Sequence, residues 1–244
     1  MTASEISVSE ATLEQLRHVS TATLTTQLFK RGLRNVFLQG VAPLVKPVPG
    51  APNVVGPAFT LRNIPAREDL DHVGVFQDPD HPQRKAVETA PPGSVLVQDC
   101  RGERAVASVG SILALRLAKR RVAGMVSDGP VRDSGTIAEL GLPIWCAGAS
   151  APLNLAKHHA VDMNVPIACG GVPVYPGDIV VADVDGVVIV PREMAEEVAR
   201  DAAEQEQLEA FITQRIEEGR PLRGTYPPNE ETLAAYAQWR AQKQ

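Results

Sequence analysis

The sequence is poor in aromatic residues and in cysteine. Phe, Trp and Tyr make up 4% of its 244 residues, which is too few for the platform of stacked bases that many proteins use to bind single-stranded nucleic acid. The three cysteines, Cys100, Cys146 and Cys169, lie far apart and form no C-x-x-C pattern. Neither a disulfide framework nor a cysteine-rich zinc site is therefore expected, and all three are predicted to be reduced thiols.

Long apolar runs and an excess of basic residues are also missing. No apolar stretch reaches the roughly 18 residues of a membrane-spanning helix, and no basic segment followed by an apolar one opens the chain. The formal net charge is −5, and the basic cluster at residues 119–121 is only three residues long. We therefore expect a cytoplasmic protein that binds neither membrane nor nucleic acid.

Strand and helix patterns alternate through the middle of the chain. Residues 94–99 and 122–127 are short apolar runs typical of buried strands, and residues 109–120 between them have helical periodicity. This order predicts two parallel strands joined by a crossover helix. A short helix at residues 134–140 and a strand at residues 142–146 continue the pattern, so the predicted class is α/β.

Helices are predicted to flank this core at both ends of the chain. Capping residues and helical periodicity indicate two N-terminal helices, at residues 12–19 and 20–31. A long charged helix at about residues 192–218 and a last helix at about residues 231–242 are predicted near the C-terminus. The core is thus expected between two helical extensions.

The rest of the chain is assigned to turns and loops. Asp185-Gly186 joins two apolar runs and predicts a hairpin, whereas the polar stretch at residues 68–84 predicts a surface loop with one helical turn at most. No shift in composition marks a boundary. Residues 1–244 are therefore predicted to form one domain, with its core at about residues 19–219.

Two of the predicted strands end in loops that could carry chemistry, because ligands of α/β sheets gather at the carboxyl ends of strands. One loop leads to the predicted helix start at residues 110–113, Gly-Ser-Ile-Leu, whose unpaired backbone N–H groups could bind a carboxylate. The other loop carries Arg132, with a planar fork for a carboxylate or enolate oxygen, and Asp133, an oxygen ligand suited to Mg²⁺ or Mn²⁺. A structural Arg132–Asp133 ion pair is the alternative.

Three segments of the sequence resemble the RraA-like superfamily, which contains the 4-hydroxy-4-methyl-2-oxoglutarate aldolases and the regulators of ribonuclease activity. They are GSIL at residues 110–113, RVAGMVSDGPVRD at residues 121–133 and GLPI at residues 141–144. The pattern G-x-V-x-D-G-x-x-R-D at residues 124–133 is the most specific of them. The resemblance covers about residues 19–219 and implies an α/β fold similar to the swivelling phosphohistidine domain.

The resemblance also implies roles for individual residues. Asp133 matches the family's divalent-metal ligand, Arg132 its pyruvate-binding and enolate-stabilising arginine, and the amides of Ile112 and Leu113 its carboxylate-binding groups, with Gly110 and Ser111 beside them. A glutamate from the C-terminal helix of a neighbouring subunit, Glu209 or Glu206, would complete the metal shell. The implied cofactor is Mg²⁺, Mn²⁺ or another divalent cation, and the implied assembly is a homotrimer or hexamer with sites between subunits.

Ser111 departs from the pattern of the aldolases, which usually have Asp or Glu directly after the glycine. A serine hydroxyl cannot act as a carboxylate base near neutral pH. Water activated at the metal, or a carboxylate from elsewhere such as Asp99 or Glu103, would have to take this role. The departure indicates a substrate different from those of the best-known relatives.

The predicted function is that of a metal-dependent lyase that cleaves a small 4-hydroxy-2-oxo acid to pyruvate and also decarboxylates oxaloacetate. Two alternatives stay open. The first is a dehydratase or hydrolase of a sugar-derived 2-oxo-3-deoxy acid, which Ser111 favours. The second is a non-catalytic ribonuclease-binding regulator, although regulators of this superfamily typically lack the acid after the arginine and the long C-terminal helix.

Two other features are not assigned to the site. Adjacent residues point to different sides of a helix or a strand, so His158 and His159 are not expected to bind one metal ion. Cys100 lies near the proposed site in the sequence, but no histidine is placed to activate it, and it is expected to be a small buried hydrophobic residue.

Overall fold

The computed structural model describes residues 8–242, which form a main mixed sheet of eight strands and a separate pair of strands. The main sheet contains β1 (Ala42–Pro43), β2 (Val54–Pro65), β3 (Val95–Asp99), β4 (Gly124–Ser127), β5 (Ile144–Cys146), β6 (His158–Met163), β9 (Ile179–Ala182) and β10 (Val187–Val190). The separate pair contains β7 (Ile167–Cys169) and β8 (Val172–Val174). The order in the main sheet is β1-β5-β4-β3-β2-β9-β10, with β6 paired to β2.

The centre of the main sheet is parallel, as the sequence pattern predicts. β2, β3, β4 and β5 are parallel neighbours, and every residue of β3 and β4 is buried. Burial on both faces explains why these strands are continuously apolar. Because parallel strands end at the same edge of a sheet, the loops after β3 and β4 leave the sheet side by side.

Eight helices surround the sheet within residues 8–242. They are α1 (Glu10–Leu16), α2 (Thr21–Lys30), α3 (Pro82–Thr89), α4 (Ser111–Lys119), α5 (Ser134–Ala138), α6 (Ala195–Glu217), α7 (Leu222–Thr225) and α8 (Glu230–Ala241). Helices α3, α4 and α5 pack on the parallel strands in one apolar core, whereas α1, α2 and α6 pack on β9 and β10 in another. None of these helices is long and apolar enough to cross a membrane.

The terminal helices are joined to one another by ion pairs and aromatic contacts. Arg31, at the end of α2, contacts Glu197 at 2.8 Å and Asp201 at 2.5 Å on α6. Farther along α6, Phe211 packs against Tyr236 of α8, with ring centroids 5.7 Å apart. The N- and C-terminal extensions therefore form one helical layer, and the predicted α/β class with flanking helices is confirmed.

The structure differs from the sequence prediction in two stretches. In residues 68–84 the 3₁₀ turn at residues 73–77 agrees with the predicted helical turn, but α3 already begins at Pro82, a favourable first residue of a helix. Strands β6, β7 and β8 were not predicted. β7 and β8 have three residues each and flank Gly170-Gly171, and β6, with the sequence HHAVDM, pairs antiparallel with the end of β2. Such short strands give weak periodicity.

His158, the first residue of β6, is buried among groups that disfavour its protonation. Its side chain is inside the fold, with the residue 1% exposed, and Nη2 of Arg101 lies 3.3 Å from its Nδ1. Burial first, and the positive charge of Arg101 second, lower the pKa of His158 from 6.5 to about 4. The folded protein therefore holds this imidazole neutral where an unfolded chain would protonate it.

The free energy of unfolding is expected to fall as the pH drops from about 6.5 to about 4, because the unfolded state then binds a proton that the folded state excludes. The loss attributable to His158 is of the order of 3 kcal/mol at most. Urea unfolding at several pH values would measure it. His158→Asn should flatten this part of the profile, whereas the exposed control His18→Asn should not; parallel profiles for wild type and His158→Asn would contradict the assignment.

Candidate active site

The loop at residues 128–133 lies directly against the start of α4. Val131 forms isolated parallel bridges with Val109 on one side and Ala149 on the other. The backbone N–H of Arg132 donates to the carbonyl of Val109 at 3.0 Å. These bonds continue the parallel pairing beyond the ends of β3 and β4. They bring together the two loops that the sequence analysis predicts to form the site.

The first residues of this loop hold the backbone in place. The buried carboxylate of Asp128 accepts hydrogen bonds from the N–H of Cys100 at 2.5 Å, of Gly102 at 3.0 Å and of Gly170 at 3.2 Å. Gly129 packs so closely that a Cβ there would lie 2.8 Å from the Cβ of Cys100. Asp128 and Gly129 therefore hold the loops together, and only the last two residues of the loop, Arg132 and Asp133, are partly exposed.

Asp133 lies at the start of α5 but bonds to α4. Its backbone has φ 57° and ψ 34°, in the left-handed region that few residues other than glycine adopt. Its Oδ2 accepts hydrogen bonds from the N–H of Ser111 at 3.0 Å and from the hydroxyl of Ser111 at 3.2 Å. The backbone N–H of Ser111 is the main cause that lowers the pKa of Asp133 below its ordinary value, so Asp133 is ionised at neutral pH.

Arg132 forms a loose ion pair with Asp133, the contact that the structural alternative names. Its Nε lies 3.7 Å from Oδ2 of Asp133, and this contact contributes, after the bonds from Ser111, to lowering the pKa of Asp133. The side chain is 40% exposed, so its donors are accessible. Arg132 is therefore accessible to an anionic group in addition to its loose contact with Asp133, while Asp133 is held by Ser111.

The start of α4 keeps two free backbone donors. Gly110 is the N-cap residue and has no side chain to satisfy the first turn, and the Ser111 amide is taken by Asp133. In the described part of the chain, the amides of Ile112 and Leu113 have no hydrogen-bond acceptor. Of the first three amides of the helix, those of Ser111, Ile112 and Leu113, the last two therefore remain available to a carboxylate.

The start of α4, Arg132 and Asp133 line one cavity of about 290 Å³. It is lined by all six predicted residues of the two loops and by others that the sequence did not indicate. The predicted ones are Gly110, Ser111, Ile112, Leu113, Arg132 and Asp133. The additional polar or aromatic ones are Phe76, Gln83, Arg84, Ser108 and Asn154. The structure thus brings the two predicted loops together around a cavity at the small end of the range for ligand sites.

The missed residues Gln83 and Arg84 come from α3, in the stretch predicted to be loop. The side-chain amide of Gln83 donates to the carbonyl of Ser108 at 2.8 Å and fixes α3 against the approach to α4. Pro82 is the sequence signal that could have located this helix, because proline favours the first position of helices. Nothing in the local sequence places α3 beside Arg132, since that depends on tertiary packing.

The two glutamates proposed for a shared metal shell lie elsewhere in the same chain. Oε1 of Glu206 accepts hydrogen bonds from the N–H and hydroxyl of Ser20, the residue that caps α2. Glu209 accepts a bond from the side-chain amide of Gln205 at 2.8 Å. Neither Glu206 nor Glu209 lines the cavity around Arg132 among the described residues. A contribution from either could come only from another subunit.

Asp99 and Glu103, the carboxylates considered as replacements for an acid at Ser111, do not line this cavity either. Asp99 borders a second cavity and accepts a hydrogen bond from the N–H of Arg101 at 2.8 Å. Burial is the main cause that raises its pKa above the ordinary value. Glu103 accepts a bond from the N–H of Ala105 at 2.8 Å. Asp133 is thus the single carboxylate of the described cavity lining.

The features that the sequence analysis left out of the site are consistent with structural roles. Cys100 is buried, and burial raises the pKa of its thiol far above the ordinary value, so a thiolate nucleophile is disfavoured. His158 is buried, while Nδ1 of His159 lies 2.7 Å from Oδ1 of Asp71. The two histidine side chains therefore have different surroundings and different partners.

The donors of the cavity match a magnesium-type ion better than a zinc-type ion. Within residues 8–242, no group of three or more His, Cys, Asp or Glu side chains is arranged to hold a metal. Structural zinc sites need about four such ligands. Mg²⁺ usually keeps several waters and binds through one or two carboxylates together with oxygens of the substrate. The ionised Asp133, beside groups suited to a carboxylate, fits that donor set.

Comparison with known proteins places the chain among the aldolases and RraA proteins. Residues 21–189 match the sequence model of the family described as RraA-like: Aldolase/RraA. A protein of Halalkalibacterium halodurans named "Putative 4-hydroxy-4-methyl-2-oxoglutarate aldolase" is 33% identical over 190 residues, or 78% of this chain and 81% of the relative. A protein of the same name from Aromatoleum aromaticum is 40% identical over 106 residues, or 43% of this chain and 66% of the relative.

A solved structure supports the same placement. Streptomyces coelicolor RraAS2, described as an unusual member of the RNase ES inhibitor RraA protein family, is similar with a TM-score of 0.75 and 34% identity. The match covers 85% of this chain and 98% of RraAS2. The predicted RraA-like fold is confirmed by this similarity.

Gly110→Ala is expected to separate Asp133 from α4, because the added Cβ would lie 2.9 Å from Oδ2 of Asp133 and 3.2 Å from Cγ of Arg132. The carboxylate would have to move, so the Ser111 amide should lose its acceptor and exchange its hydrogen faster. Amide hydrogen exchange would detect the change. Gly135→Ala is the matched control, since a Cβ there meets nothing within 4 Å; equal exchange at Ser111 in both variants would contradict the contact.

Proposed function

Because this chain belongs to the RraA-like family of aldolases and RraA proteins, we propose that it is a divalent-metal-dependent lyase that cleaves a small 4-hydroxy-2-oxo acid to pyruvate. The observation that carries the proposal is one cavity with two free amides, an accessible arginine and an ionised aspartate. These are the groups that a 2-oxo acid needs at its first two carbons. The names of the relatives support the same chemistry.

The free amides of Ile112 and Leu113 would bind the C1 carboxylate of the substrate. Backbone N–H groups at the start of a helix point along its axis, where the helix dipole also favours negative charge. Gly110 permits a close approach, because no Cβ stands between the helix start and the loop at Arg132. The carboxylate is thereby oriented with its neighbouring carbonyl towards Arg132.

Arg132 would stabilise the oxygen at C2 as the bond between C3 and C4 breaks. That oxygen gains negative charge when the pyruvate enolate forms, and a guanidinium held in place for it lowers the barrier. Asp133 is the residue that would hold Mg²⁺, Mn²⁺ or another divalent cation, which would supply Lewis-acid polarisation of the 2-oxo acid. The same stabilisation of an enolate would permit decarboxylation of oxaloacetate.

The proton of the C4 hydroxyl needs an acceptor that the described cavity does not provide within one chain. Ser111 donates its hydroxyl to Asp133, and no second carboxylate lines the cavity. We therefore assign this role to water or to a glutamate of a neighbouring subunit. Glu209 suits it better than Glu206, because Glu206 is engaged at the cap of α2. A homotrimer or hexamer with sites between subunits would supply such a residue.

Arg132→Ala is expected to lower kcat for pyruvate formation by about 100-fold or more while leaving the fold intact, since the guanidinium stabilises charge that develops only in the transition state. A coupled assay for pyruvate with a panel of 4-hydroxy-2-oxo acids and oxaloacetate would measure it. Arg132→Lys keeps the charge without the fork and should recover only part of the activity. Full activity in the alanine variant would refute the assignment.

Chelation of divalent cations should abolish pyruvate formation, and added Mg²⁺ or Mn²⁺ should restore it, because one carboxylate and the substrate would share the ion. Asp133→Asn should weaken Mn²⁺ binding, measured by calorimetry or electron paramagnetic resonance without substrate. The matched control is Asp162→Asn on β6. The Asp162 side chain is exposed and forms a loose ion pair, with its Oδ2 3.6 Å from Nη1 of Arg62. Unchanged Mn²⁺ affinity in Asp133→Asn would remove Asp133 from the metal site.

A regulatory function is the second candidate, because the similarity to RraAS2 is to a family named for inhibition of a ribonuclease. The presence of Asp133 and of the 23-residue helix α6 favours the enzyme, since the regulators typically lack both features. Capture of a ribonuclease together with no turnover of any 2-oxo acid would favour regulation. The identity of the products would also separate cleavage from dehydration or hydrolysis of a 2-oxo-3-deoxy acid, which Ser111 keeps open as the third possibility.

A further inference from the structure

Arg84 is a second arginine on the lining of the same cavity. It lies in the first turn of α3, next to Gln83, whose hydrogen bond to the carbonyl of Ser108 fixes the helix relative to the start of α4. The ionisable residues of the lining are Arg84, Arg132 and Asp133. The cavity therefore has two positive groups and one negative group before any ligand binds.

The guanidinium of Arg84 is held in place without an acidic partner. It lies over the ring of Phe76, 4.2 Å from the ring centroid, and both residues line the cavity. Among residues 8–242, no carboxylate forms an ion pair with it and no acceptor hydrogen-bonds to it. Burial lowers the pKa of Arg84, but an arginine stays protonated at neutral pH. The lining of the cavity thus includes a partly desolvated cation without an acidic partner among residues 8–242.

Two other partly buried arginines, Arg31 and Arg192, differ in this respect. Arg31, 15% exposed at its side chain, contacts two carboxylates, and Arg192, 27% exposed, contacts Glu193 at 2.9 Å. Taking a charge out of water is costly unless a counter-charge is near. Since the contact with Phe76 supplies only part of that compensation, Arg84 lacks the anion that the other two have.

Arg132 and Arg84 would bind different groups of the substrate. Arg132 and the amides of Ile112 and Leu113 are sufficient for the C1 carboxylate and the C2 oxygen of a 2-oxo acid. Arg84 comes from another element, α3, and is left without a role by that arrangement. We propose that Arg84 is a specificity-determining residue, which binds a second carboxylate at the end of the substrate remote from C1.

This inference rests on the proposed function for the position of the 2-oxo acid, but a binding experiment can test it without turnover. The two probes are 2-oxoglutarate and 2-oxopentanoate, which have the same five-carbon chain and differ in a carboxylate or a methyl group at C5. Their affinities for wild type, Arg84→Gln and Arg84→Lys would be measured by calorimetry in the presence of Mg²⁺. Arg34→Gln is the matched control, because Arg34 lies 5.7 Å from the ring centroid of Phe29, outside this cavity.

Wild type and Arg34→Gln are expected to prefer 2-oxoglutarate by roughly 10- to 100-fold, the effect of one charge-assisted contact. Arg84→Gln should lose this preference while its affinity for 2-oxopentanoate changes by less than about 2-fold. Arg84→Lys should keep part of the preference, because the charge remains.

Equal binding of the two probes to wild type, or an equal loss of both in a folded Arg84→Gln protein, would overturn the assignment; the latter would show that Arg84 only shapes the cavity. Failure of 2-oxoglutarate to bind to wild type would overturn it as well. Melting temperatures of all variants would verify folding. If the preference is found and depends on Arg84 but no 2-oxo acid is cleaved, the proposed reaction fails while this inference stands.

Discussion

The hydrogen bond from the Ser111 amide to Oδ2 of Asp133, 3.0 Å long, joins the first turns of α4 and α5, two helices that follow neighbouring parallel strands. It is the main cause that lowers the pKa of Asp133, a residue whose backbone lies in the left-handed region. Oδ2 of Asp133 is the acceptor of this bond, and Arg132 contacts the same oxygen at the longer distance of 3.7 Å, with a side chain that is 40% exposed. The absence of a side chain at Gly110 makes this contact possible. The ligand groups of the cavity depend on this one bond.

The parallel core, the hairpin around Asp185-Gly186 and the loop at residues 128–133 could be predicted because each has a strong local signal. Continuous apolar runs mark buried strands, and an Asp-Gly turn marks a hairpin. The position of α3 and the strands β6 to β8 could not, because their short segments are stabilised by contacts with distant parts of the chain. Arg84 was missed for that reason, since its place beside Arg132 is set by packing and by the bond from Gln83.

The local sequence also could not distinguish a structural residue from a ligand-binding one within the same loop. Asp128 and Asp133 are five positions apart in one loop, yet Asp128 is buried and binds three backbone amides, whereas Asp133 is exposed to the cavity. Only the fold distinguishes them. A similar division exists on α6, where Glu206 binds Ser20 and Glu209 binds a neighbouring amide. The helical layer that supports the N-terminus thus uses a residue that the resemblance alone would assign to the metal.

The distribution of charge has a consequence for how a substrate arrives. The chain has a net charge of −5, so an anion far from the protein meets no attraction from it as a whole. At 0.1 M ionic strength, charges are screened beyond about 10 Å, so Arg84 and Arg132 act only on an anion that has already diffused to the mouth of the cavity. Capture is governed by this local field. Charges on the remote surface can therefore vary between relatives without changing the rate at which the site takes up its substrate.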